Sequence, residues 1–154
     1  MSDVFANAIG PVLIVIGLLV SIRHFKAART VSYIERFNHP DMASTRATVD
    51  VWLASSTSDD ERYQAAKDDP ELDAKINAFM NIFTELGIAY RFGLLDKKIA
   101  FAIWDVLAPN YWVKLKFYIE ASRHEGRGIA FSFEYFAREI SPYEEPLKSA
   151  LKKG

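Results

Sequence analysis

The side chains best suited to chemistry in this chain are few and scattered. Glu120 and His124 stand four apart, on one face of any helix that holds them, and a carboxylate beside an imidazole is the beginning of a metal site. Nothing nearby completes it, because the other two histidines are His24 and His39 and the chain has no cysteine. Lack of cysteine also removes disulfides and thiol nucleophiles, and fits a reducing compartment. Serine, histidine and aspartate all occur, but no G-x-S-x-G elbow presents a serine for attack. Gly126 and Gly128 flank Arg127 without a strand before them, so they do not read as a phosphate loop. His124 is read as a helix-end histidine beside Arg123 and Glu125. No catalytic residue, cofactor or metal ligand is assigned. The enzymatic alternative is a membrane-tethered enzyme whose site is assembled from distant residues: Glu120, His124 and Arg91.

The elements that would hold these residues are legible as helices. Asn38-His39-Pro40-Asp41 breaks a first helical run, and Asp41 is expected to cap a helix over Met42–Ala54 that buries Val49 and Trp52 or Leu53. Ser58 and Glu61 have capping-box spacing and open a short helix in the acidic stretch from Asp59 to Lys75. Asp69-Pro70 starts the clearest helix, with Leu72, Ile76, Phe79, Met80, Phe83 and Leu86 as its apolar stripe. Gly87 is tolerable within that helix, which is expected to stop at Gly93. Asp96 caps a helix over Lys97–Leu107 that is apolar on nearly every side, and therefore expected to be central. Ala108-Pro109-Asn110 is read as a turn into Tyr111–His124, with Trp112, Leu115 and Ile119 inward. Ile129, Phe133, Phe136 and Ile140 mark a last main helix ended by Pro142, followed by a short fraying tail. The aromatics Trp52, Trp104, Trp112, Phe79, Phe83, Phe101 and Phe136 sit at helical spacing and read as core. No run alternates with period two, so six to eight helices and no strand are expected.

The N-terminus sets the compartment. From Val4 to Ile22 there is no charged side chain. Nineteen residues at 1.5 Å each reach roughly 28 Å, the thickness of a bilayer's hydrocarbon. Pro11 is the weak point, as a kink or a first-turn residue. A cleaved secretory signal is disfavoured, since only Asp3 precedes the apolar run and no A-x-A site follows. Arg23, Lys26 and Arg29 follow the run, so the N-terminus is expected outside and the domain in the cytoplasm, single-pass in a cell inner membrane. The same three cations are expected at the membrane surface, against anionic headgroups. Ala6, Gly10, Gly17 and Ser21 fall within about 60° on one helix face, which suits docking of another helix, from a partner or from a second copy.

The reading is thus all-α: one N-terminal transmembrane helix followed by a compact multi-helix soluble domain. Residues 1–29 form the anchor and basic juxtamembrane segment, and residues 30–154 form the cytoplasmic domain. Half of the 154 residues are hydrophobic and a quarter charged, enough for a core. Nineteen bases against twenty acids give no global field, so no nucleic-acid partner is expected.

Two resemblances bear on function. His39-Pro40-Asp41 matches the tripeptide with which J-domain co-chaperones stimulate their chaperone partner, but the tyrosine-rich first helix of that family is missing, and a proline turn accounts for it. The stretch Asn81–Gly87, Tyr90-Arg91-Phe92-Gly93-Leu94-Leu95-Asp96 and Tyr111-Trp112 resembles a family of uncharacterised bacterial helical domains, often with an N-terminal membrane helix, filed as a domain of unknown function. The resemblance runs from about Tyr33 to Phe136 and implies an anchor-plus-helical-domain topology, with no activity or site residues. The expected function is that of a membrane-anchored interaction protein, an accessory or regulatory subunit of a membrane complex, with the lipid bilayer and a membrane protein as partners.

Overall fold

The computed structural model describes residues 2–55 and 58–141, with side chains from Leu13 onward. Among these residues there are seven helices and no strand. The tail from Pro142, and the side chains of Ala6 and Gly10, lie outside the described residues.

Helix α1 runs from Ser2 to Asn38, through position 11 and across the 29/30 boundary without a break. Helix α2 (Pro40–Leu53) begins two residues earlier than expected. Its cap is His39, whose Nδ1 accepts from the Asp41 amide at 3.4 Å, and not Asp41 itself. Pro40, with φ already helical, starts the helix and leaves Asp41 in the first turn, where its charge suits the helix dipole. Helix α3 (Asp59–Asp68) opens with the Ser58–Glu61 capping box. Trp52 Nε1 donates to the Arg62 carbonyl and Arg62 Nη1 to the Leu53 carbonyl, which ties α2 to α3.

Helix α4 (Pro70–Arg91) starts on the Asp69 cap. It stops where Gly93, at φ +65°, lets the Leu94 amide reach the Ala89 carbonyl and its own amide reach that of Tyr90. Its stripe is the centre of the core. Phe79 meets Tyr111 edge-on at 4.6 Å, and Phe83 stacks on Phe133 at 4.7 Å. Phe37, near the end of α1, packs against both phenylalanines of α4.

Helix α5 is shorter than expected, Lys97–Trp104, and it is peripheral rather than central. Only Ala100 and Trp104 are buried in it, while Phe101, Ile103 and the following Val106 stand 44–60 % exposed. Among the described residues α5 meets α6, α7 and α1. Helix α6 (Leu107–His124) already includes Pro109, which was expected in a turn. Proline fits a first turn because amides there have no intrahelical partner to lose. Helix α7 (Phe131–Ile140) follows Ala130, a non-glycine residue at φ 61°, and lies along α4 in the most extensive helix pair of the fold.

Candidate functional site

Two regions offer more than core packing, the first being the junction of α1 with α5. Every residue from Leu13 to Phe25 is exposed. One turn later Thr30 is fully buried, and its hydroxyl works twice. It donates to the Lys26 carbonyl at 2.7 Å and accepts the Asp96 amide at 2.9 Å. That bond pins the start of α5 to α1. Above it opens a notch of about 510 Å³, walled by Val20, Arg23, His24 and Ala27 from α1 and by Asp96, Lys98 and Ile99 from α5. Asp96 spends Oδ1 on the amides of Lys98 and Ile99, at 3.0 and 3.2 Å.

The expected site residues divide accordingly. Gly17 and Ser21 share a face, and the Ser21 hydroxyl donates to the Gly17 carbonyl at 2.8 Å, so it is satisfied within the helix. A Cβ on Gly17 would meet nothing within 4 Å. Arg23 faces the notch, Lys26 is half-buried beside Thr30, and Arg29 is exposed about 120° round the helix from Arg23. Sequence reasoning missed Thr30 and Lys98. The second carried a signal: Lys97-Lys98 puts two cations at a helix start, against the dipole.

The second region is a groove of about 830 Å³ between α2, α3 and α6. Its polar groups are committed to one another. The Tyr111 hydroxyl donates to Asp50 at 2.8 Å, and burial, then the Asp50 carboxylate, push its pKa well above the tyrosine range, so it stays protonated. Arg62 pairs with Asp59 and covers the Phe117 ring, and Lys116 pairs with Glu120. Beneath the groove Tyr118, fully buried, donates to Asp73, which also receives Arg127 at 3.3 Å. These contacts fasten helices together.

The residues of the enzymatic alternative do not converge. Asn77 touches Tyr118, so the start of α4 lies by the end of α6, and Arg91 is fourteen residues further along α4, roughly 21 Å away. Arg91 lies over the Tyr135 ring instead. Among the described residues no group of three or more His, Asp or Glu is placed to hold a metal ion.

Among the described residues no helix is long and apolar enough to cross a membrane. The part of the expected span with described side chains, Leu13–Ile22, is about 15 Å long, half a bilayer core. Residues 4–12 of that span lie outside it. No curated protein and no solved structure matches the chain. A family match covers residues 5–139, most of α1 included, and the chain therefore belongs to the family described as Domain of unknown function (DUF4760).

Proposed function

We propose that this protein is a membrane-anchored interaction protein, an accessory or regulatory subunit whose N-terminal helix enters a bilayer while the helical domain covers a cytoplasmic surface. The carrying observation is the bare apolar rod at the start of α1. Leu13, Ile14, Val15, Ile16, Leu18, Leu19, Val20 and Ile22 each leave half or more of their surface uncovered, on all sides of the helix. Full burial is worth roughly 1.5–3 kcal/mol per side chain, so covering these eight would recover on the order of 10 kcal/mol. An apolar surface of that kind calls for lipid or protein around it. The preceding residues from Val4 continue the same uncharged sequence, and α1 is helical from Ser2. Arg23, Lys26 and Arg29 at the rod's end favour the cytoplasmic side for the domain.

The test is alkaline carbonate extraction of membranes from cells expressing the full chain. Retention in the pellet is expected, and release into the supernatant would overturn the anchor. A C-terminal reporter active only in the periplasm should stay silent; activity would reverse the orientation. The docking face has its own test. Gly17 has open space on its Cβ side, so the pair Gly10→Leu and Gly17→Leu should leave the domain folded and inserted. Loss of the co-purifying partner, or of self-association, is expected from the variant. Equal recovery would reduce the helix to a tether.

A further inference from the structure

Among the described residues most lysines and arginines are engaged. Arg36, Arg62, Lys67, Lys75, Lys116, Arg123, Arg127 and Arg138 each meet a carboxylate. Arg46, Arg91, Lys97 and Lys114 each lie over an aromatic ring. Among the described residues Arg23, Lys26, Arg29 and Lys98 face neither; the first three lie on two turns of α1 and Lys98 at the start of α5. Two of them, Arg23 and Lys98, come from opposite walls of the 510 Å³ notch.

We propose that this notch binds the phosphodiester headgroup of an anionic phospholipid, held between Arg23 and Lys98. The inference rests on the bilayer anchor proposed above and names the ligand at its base. Three features converge on it. Neither cation forms an ion pair among the described residues, and the one carboxylate in the notch, Asp96, directs its Oδ1 to the amides of Lys98 and Ile99 at 3.0 and 3.2 Å. Of the remaining walls, His24 is polar and Val20, Ala27 and Ile99 are apolar, and that apolar part suits the glycerol and first acyl carbons of a lipid better than a free hydrated anion. The notch also begins at the last residues of the bare apolar rod, so insertion of that rod sets it at headgroup depth. The geometry is held by the Thr30–Asp96 bond, not left to two flexible side chains on one helix.

The experiment uses the full chain in mild detergent, with bound lipid read by native mass spectrometry. Dioleoylphosphatidylglycerol and dioleoylphosphatidylcholine are supplied separately, and millimolar inorganic phosphate serves as competitor. Preferential retention of phosphatidylglycerol is expected, with a roughly thirty-fold weaker affinity in the Arg23→Gln/Lys98→Gln variant, about a factor of five per cation. Arg29→Gln, an unpaired cation that does not line the notch, should change retention of a lipid held there by roughly two-fold or less. Both substituted residues are exposed, so the fold should survive, and Arg23→Lys/Lys98→Arg should restore retention. Equal retention by wild type and the double glutamine variant overturns the site. Complete displacement by inorganic phosphate assigns the notch to a free anion and overturns the lipid. A chain that resists carbonate but shows no dependence on Arg23 and Lys98 sinks this inference alone, whereas carbonate release sinks the anchor beneath it.

Discussion

Gly87→Ala is the substitution on which sequence and structure disagree most sharply. In an isolated helix, alanine for a mid-helix glycine stabilises by about 1 kcal/mol. In the fold, a Cβ at this position falls 1.9 Å from the Ser132 carbonyl oxygen and 2.6 Å from its carbon, with Phe136 Cβ at 3.2 Å. Carbon and carbonyl oxygen settle at roughly 3.3–3.6 Å, so the start of α7 must retreat by about 1.5 Å. Backbone atoms cannot swing aside as a side-chain tip can. A gap of 0.5–1 Å already forfeits a quarter to a half of a dispersion contact, and α7 buries Phe133, Phe136, Ala137 and Ile140 on the face that would lift. Overpacking typically costs 1–3 kcal/mol before those contacts are counted. The net expectation is a loss of about 2–4 kcal/mol after the propensity gain. Thermal unfolding of the full chain followed by circular dichroism measures it, with Gly17→Ala as the control in open space. A Gly87→Ala protein as stable as wild type, or more so, would refute the close backbone approach of α4 and α7.

Burial, and then the Asp73 carboxylate, raise the Tyr118 pKa, as burial and Asp50 do for Tyr111. The unfolded chain gives up these protons near pH 10 and the folded chain does not, so stability should be intact below about pH 10 and fall as pH rises beyond it. Tyr118→Phe should cost about 1–3 kcal/mol at neutral pH and flatten that alkaline decline; unchanged slopes in denaturation curves across this range would refute the burial of the phenol. Thr30→Val keeps the side-chain shape but removes the acceptor of the Asp96 amide, at a cost of about 1–3 kcal/mol. Hydrogen exchange at Asp96 should accelerate in that variant, and unaltered protection would deny Thr30 its place in pinning α5 to α1.

What the sequence by itself determined lies within a turn or two of main chain. The Ser58–Glu61 box, the Asp69-Pro70 start, the Gly93 stop and the Asp96 cap were readable because donor, acceptor and permissive φ all sit within a few residues. The α4 stripe was readable because burial of one helix face imposes its own period. Aspartate and proline rules also misled where two local signals competed, as at His39-Pro40-Asp41 and at Pro109. Only tertiary structure decided which faces are covered. Helix α5 is apolar on nearly every side, yet composition cannot say that Phe101 and Ile103 stand exposed. Gly87 looked like a tolerated defect until Ser132, forty-five residues on, came to rest against its backbone. Thr30 met the Asp96 amide, and Arg23 and Lys98 came to line one notch, through an arrangement that no spacing along the chain encodes. Those pairings depend on where helices cross, and crossing is settled by the shape of the whole core rather than by any stretch of residues.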